Sequence, residues 1–185
     1  MSALAAVVLI ICLVQREGGF AAERNAIPSS EYQVKAAFVY NFIKFVVWPS
    51  GEGSQGDTVR LCVLGDLSDA DPFKHLDGQE IMGKRLNVSF ISEPREVRNC
   101  QVLFLPSSQS RRLAKTLEII RVLPILTIGD TDGYAQRGVM INMYLDKKRV
   151  RFEINTEMAE MARLRISTKL LSLAGTVYTP GRTEK

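Results

Sequence analysis

The 185-residue sequence predicts a single-domain α/β fold: a mainly parallel sheet flanked by helices, with an antiparallel hairpin near the C-terminus. Three observations predict it. The stretch Val59 to Asp66, VRLCVLGD, is apolar nearly throughout and stops at Gly65 and Asp66, as a central strand covered on both faces does. Short apolar runs then alternate with helix-like segments as far as Gly129. After Gly138 the pattern changes, and two strand-like runs flank the polar turn Asp146-Lys147-Lys148.

The composition, 46% hydrophobic and 24% charged, is an ordinary globular mixture able to bury one full core. The formal net charge of +4 is mild. Basic residues are spread along the chain with only short runs, Arg111-Arg112 and Lys147-Lys148-Arg149, so no nucleic-acid surface is expected. Residues 1–22 read as a signal peptide. Ala3 to Val14 is too short for a stable membrane anchor but fits the apolar core of a secretory signal, with small residues near Gly19-Phe20-Ala21 for cleavage. Two features depart from that pattern: no Lys or Arg precedes the apolar run, and Gln15-Arg16-Glu17 follows it. Export to the periplasm, with no stable membrane insertion after cleavage, removes Cys12 and leaves Cys62 and Cys100 in an oxidising space. Two cysteines in buried-looking strands are either inert small hydrophobes or a clamp between neighbours, and spacing alone leaves both open.

The elements follow in order. After a linker over residues 23–29, Ser30 and Gln33 have the spacing of a capping box. The segment EYQVKAAFVYNFIKFVVWP then reads as a helix and a short extended piece halted by Pro49. Its helix is apolar almost all round (Val34, Ala37, Phe38, Phe42), which predicts burial against a sheet or a partner chain. A Gly-rich loop, Ser50 to Asp57, leads into the first strand, and Asp69 to Leu76 reads as a short helix with Pro72 near its start. Leu86 to Ile91 alternates as a strand, and Glu93 to Asn99 is a charged link. Cys100 to Leu105 is the next strand, after which Ser107 or Ser108 caps a helix to about Val122. Pro124 to Gly129 is a further short strand. Val139 to Leu145 and Arg149 to Ile154 form the hairpin, Thr156 begins a short helix, and Ser167 caps a last one, TKLLSLAGTVY. The folded domain spans 30–178, and 179–185 is expected to be a disordered tail.

No catalytic constellation can be assembled. The single histidine, His75, lies in a polar helix, and no G-x-S-x-G elbow supplies a serine for it. One histidine and two mature cysteines make a zinc site improbable, so neither metal nor cofactor is expected. The turn Gly65-Asp66-Leu67-Ser68 matches neither G-x-G-x-x-G nor a P-loop. Strand-end residues Asp66, Ser107 and Asp130 are candidates for a ligand pocket, although turn formation and capping explain them equally. A phospho-receiver would need an aspartate where Pro106 stands. What remains is a binding or regulatory module.

The phrases EYQVKAAFVYNFIKFVVWP, LCVLGD, CQVLFLP, ILTIGD, VRFEIN and LRISTKLLSLA occur in an order that resembles the YfiR-like family of periplasmic proteins, over about residues 31 to 177. The resemblance implies a homodimer without catalytic activity that holds the periplasmic sensor domain of an inner-membrane diguanylate cyclase inactive, lowering cyclic-di-GMP and biofilm formation. It implies a disulfide between Cys62 and Cys100. The second cysteine pair that some members carry near the hairpin is missing here. Arg137-Gly138 stands where Gly-Gly is common, and Arg163 where a glycine is common. Partner binding is expected from Phe152, Glu153 and Asn155 of the hairpin and from Leu164, Ile166 and Lys169 after it; an apolar centre with charged neighbours suits an interface. The alternative is that Phe152 and Ile166 are core and Asn155 caps a helix. A different class of function also fits: a periplasmic small-molecule sensor acting on another membrane receptor, such as a histidine kinase.

Overall fold

The computed structural model describes residues 29–49, 56–65, 72–180 and 182–184. The expected signal peptide, most of the linker and Asp66 lie outside these residues.

Helix α1, Ser29–Ile43, buries Tyr32, Ala36, Val39, Phe42 and Ile43, spaced three and four apart so that they share one face. Burying a side chain such as Phe42 contributes about 2 kcal/mol. Val34 and Ala37 stay exposed on the other face, so the helix is a core helix with one open side. It ends as the β-branched pair Val46–Val47 (β1) turns extended and pairs antiparallel with Arg165–Ile166 (β9).

Among the described residues the main sheet has nine strands. In chain order they are β2 (Thr58–Leu64), β3 (Glu80–Ile81), β4 (Lys84–Ile91), β5 (Val102–Leu105), β6 (Leu126–Gly129), β7 (Ile141–Asp146), β8 (Arg149–Asn155), β10 (Thr176–Thr179) and β11 (Arg182–Glu184). Across the sheet they run β11-β10-β8-β7-β6-β5-β2-β4-β3. β4, β2, β5, β6 and β7 are mutually parallel; β7 and β8 form the expected antiparallel hairpin. The apolar run of β2 is explained by alternation: Leu61 and Val63 face the α1 layer, while Cys62 and Leu64 face a second layer formed by α2 (Leu113–Ile120) and the 3-10 segment Pro94–Asn99. The chain leaves β2 for β4 on one side and crosses to β5 on the other. Its winding therefore reverses between β2 and β5, where α/β sheets open a crevice at their carboxyl ends.

Two expectations are corrected. The helix expected from Ser107 is a 3-10 turn, Ser107–Gln109, and α2 begins only at Leu113, with Arg112 at its N-cap and no side-chain cap. The last helix, α4 (Thr168–Leu171), stops early, and the sequence expected to continue it becomes β10, parallel to β8. Gly175 makes this possible: its N–H donates to Phe152 O at 2.8 Å, and a Cβ there would collide with the Tyr144 hydroxyl. At the C-terminal edge of the sheet β10 and β11 pair antiparallel, with Thr179 opposite Arg182.

Candidate functional site

Cys62 on β2 and Cys100, just before β5, are bonded, with Cα atoms 5.8 Å apart. Strands β2 and β5 are parallel neighbours, with Cys62 opposite Leu103, and Cys100 stands three residues earlier, where the chain enters β5. Both cysteines are buried in the second layer with Val97, Leu113 and Ile120.

At the carboxyl edge of the parallel strands lies a cavity of about 380 Å³ lined by Glu31, Lys35, Ser107, Asp130, Thr131 and Tyr144, among others. Each comes from a different constraint. Ser107 follows β5, Asp130 and Thr131 follow β6, Tyr144 stands on β7, and Glu31 and Lys35 sit one turn apart on α1. Lys35 is 3% exposed, and its Nζ lies 2.9 Å from Asp130 Oδ2 and 2.7 Å from Glu31 Oε1. The ammonium also stands 5.0 Å from the Tyr32 ring. Burial, then the Asp130 carboxylate, pushes the Tyr32 hydroxyl pKa well above that of an ordinary tyrosine. A lysine bonded to two carboxylates is a clamp holding α1 to the end of β6, because removal of the lysine would leave the buried Asp130 carboxylate without its cation. The structure thus brings together Ser107 and Asp130, two of the three pocket residues read from the sequence.

A chain of hydrogen bonds leads from this cavity into the sheet. Fully buried Asn142 accepts from Thr131 N at 3.3 Å, and its Nδ2 donates to Thr131 O at 2.9 Å and to Glu153 Oε1 at 3.0 Å. Tyr178 OH donates to Glu153 Oε2 at 3.0 Å, and Gln136 Nε2 donates to Tyr178 OH. Burial, then the Glu153 bond, pushes the Tyr178 hydroxyl up to about 12. Gly129 leaves room for this turn, since a Cβ there would lie 2.6 Å from Tyr134 Cδ2 and 2.9 Å from Asn142 Oδ1.

The six residues expected at a partner surface separate on inspection. Phe152 is buried edge-on against Phe42, with ring centroids 4.9 Å apart. Glu153 is buried in the polar chain just described. Asn155 is buried too; it caps α3 (Thr156–Met161) by accepting from Met158 N and donates to Ala135 O. Leu164 is buried behind α3, and Ile166 is half-buried opposite Val46. Only Lys169 is exposed, its ammonium 5.8 Å from the Phe45 ring. In the single chain, four of the six therefore serve packing and capping. Lys35, Tyr32, Asn142 and Tyr178 were missed. The readable signals were a lysine four residues after a glutamate in an apolar helix, and an asparagine inside the apolar run VMINMYL.

Among the described residues, no group of three or more His, Cys, Asp or Glu side chains is placed to hold a metal ion, and no helix is long and apolar enough to cross a membrane.

Comparison with known proteins gives one sequence match and a set of fold likenesses. A family model described as YfiR/HmsC-like matches residues 32–175. No curated protein matches. Among solved structures, the chain is similar to a conserved domain protein of Vibrio cholerae O1 biovar El Tor, with TM-score 0.53 and 11% identity over 79% of this chain and 60% of that one. It is similar also to the ABC domain, in complex with L-Trp, from Streptococcus pneumoniae, with TM-score 0.52 and 12% identity over 77% of this chain and 60% of that one. The chain thus spans less than two thirds of the length of these two structures, and at such identities the likeness shows the fold alone.

Proposed function

This chain belongs to the YfiR/HmsC-like family, and on that premise we propose that it is an exported, non-catalytic regulator that binds the periplasmic sensor domain of an inner-membrane diguanylate cyclase and holds it inactive. The observation that carries the reading is the family match over residues 32–175. The internal bond between Cys62 and Cys100 accords with an oxidising compartment. In this reading the protein acts as a homodimer. Its partner face is centred on exposed Lys169 and half-buried Ile166, while Phe152, Glu153, Asn155 and Leu164 are buried in the single chain.

The test is co-purification of the oxidised chain with inner-membrane proteins, followed by measurement of cyclic-di-GMP in cells with and without it. Recovery of a diguanylate cyclase whose activity falls on binding is the expected result, and Lys169→Glu should weaken the capture. A chain that recovers no cyclase and leaves cyclic-di-GMP unchanged overturns the reading.

The strand-end cavity favours a second reading, a small-molecule sensor acting on another membrane receptor such as a histidine kinase. A small molecule that raises the melting temperature of the wild-type chain but not of Asp130→Asn supports this; a panel of amino acids is a convenient first screen. A cyclase partner that is bound equally well with and without any such molecule excludes it.

A further inference from the structure

The sequence shows basic residues scattered along the chain, and the fold gathers five of them. Arg111, Arg112, Lys115 and Arg121 project from α2 and its two ends, and Arg137 lies on the loop before β7 beside the same helix. Arg111, Arg112, Lys115, Arg121 and Arg137 are all exposed, and Glu118 is the one carboxylate among them. This face carries as much net positive charge as the formal +4 of the whole chain. Arg95 and Arg98 on the adjoining 3-10 segment are balanced by Glu93 and Glu96. No ion pair among the described residues involves any of the five.

Their placement runs against helix electrostatics. Arg111 and Arg112 stand at the amino end of α2, where the peptide dipoles disfavour cations, and the first turn holds no acidic residue and no side-chain cap. Arginine is well matched to phosphate.

A groove of about 470 Å³ adjoins the face. Its floor is apolar (Leu117, Ile120, Met140, Met158), and Arg121 and Arg137 line it too. Gly138, at φ +105°, lines it as well, a backbone conformation that favours glycine. Cations around an apolar trough suit a molecule with an anionic head and a hydrocarbon body. A folded protein partner would want an aromatic centre, and the exposed large apolar side chain at this end of α2 is Val122.

We propose that the α2 face binds the surface of a bilayer rich in anionic phospholipid. Headgroup phosphates sit on the arginines, and the groove takes the acyl carbons nearest the head. The preference for lipid over nucleic acid rests in part on the reading of the chain as an exported regulator of a membrane receptor.

The test is co-sedimentation of the full chain with vesicles of phosphatidylcholine, with and without phosphatidylglycerol. Each basic residue near an anionic surface strengthens binding by roughly fivefold, so the triple variant Arg111→Gln, Lys115→Gln, Arg121→Gln should lose roughly 100-fold in affinity for the anionic vesicles. It should leave any binding to phosphatidylcholine unchanged, which controls for the apolar N-terminal segment. Added salt should weaken the wild-type binding, and Glu118→Lys, an exposed change that keeps the helix, should tighten it severalfold. Equal affinity for both vesicle types, or variants indistinguishable from wild type, overturns the proposal. So does binding to an oligonucleotide in preference to the vesicles. The readout contains no cyclase: anionic-vesicle binding by a chain that recovers no cyclase removes the regulator reading and leaves this one standing.

Discussion

Asn142 and Glu153 lie directly opposite one another on the antiparallel β7–β8 pair, and the Asn142 amide donates to the Glu153 carboxylate at 3.0 Å. The same amide group closes the turn at Thr131 beside the strand-end cavity. One side chain thus ties the cavity wall to the hairpin. Asn142→Ala would leave the Thr131 carbonyl and the Glu153 carboxylate short of a donor in a buried site, so it should destabilise the fold by about 3 kcal/mol. Urea denaturation of the two proteins measures this. A loss below about 1 kcal/mol would mean that water replaces the amide and that the tie is slack.

The bond between Cys62 and Cys100 closes a loop with a sequence separation of 38. In the chain-entropy model such a loop contributes about 4 kcal/mol, a large part of the stability of an ordinary domain. The oxidised protein should therefore unfold at a distinctly higher denaturant concentration than Cys62→Ala, Cys100→Ala. If reduction also frees the partner, the double variant should repress poorly even where it is folded. Equal repression by both forms would make the bond a staple and nothing more.

Arg163 occupies the left-handed slot that ends α3, at φ +59°. The backbone around it makes the paired bonds of a Schellman motif, Leu164 N to Ala159 O and Arg163 N to Glu160 O. A side chain at such a φ costs about 1 kcal/mol relative to glycine. Arg163→Gly should accordingly raise stability by about that amount. Thermal unfolding measures the change; a fall in melting temperature would show that the arginine side chain offsets the backbone cost.

Tyr178 holds its proton up to about pH 12 in the fold, because burial and then the Glu153 bond disfavour the phenolate. The unfolded chain releases that proton near pH 10. Between these values the native state binds more protons than the unfolded state, so stability falls as pH rises. Tyr32, shifted in the same direction, adds to the slope. Tyr178→Phe should be less stable than wild type at pH 8, where the bond to Glu153 is lost, and should lose less stability between pH 10 and 12. Parallel pH profiles for the two proteins would count against the shift.

Much of the fold could be read from local pattern, because a strand covered on both faces and a helix covered on one leave different periods in the chain. VRLCVLGD, CQVLFLP and PILTIG became β2, β5 and β6, and the hairpin formed around Lys147 and Lys148, each in the left-handed region. Local pattern failed where two conformations have similar intrinsic preference. TKLLSLAGTVY reads as a helix until Gly175 meets the edge of β8, and only that long-range pairing turns the remainder into β10. The helix expected from Ser107 starts late for a related reason. The chain must first pass over the end of β5, where Gln109 packs against Gly65.

The sequence by itself determined the layered α/β class and the order of the central strands β2, β4, β5, β6, β7 and β8 along the chain, since both follow from local period, and the resemblance of six phrases in order pointed to the family. Only the tertiary structure decided which polar side chains meet. Lys35 reaches Asp130 across 95 positions, Asn142 and Glu153 align across a hairpin, and Arg121, just past α2, joins Arg137 along one groove. Burial decided the rest: Phe152 and Asn155 have the composition of a surface patch, yet the closing of α1 and α3 over β8 removes them from water. A side chain's chemistry is written in the chain, but its partner and its exposure are properties of the packed whole.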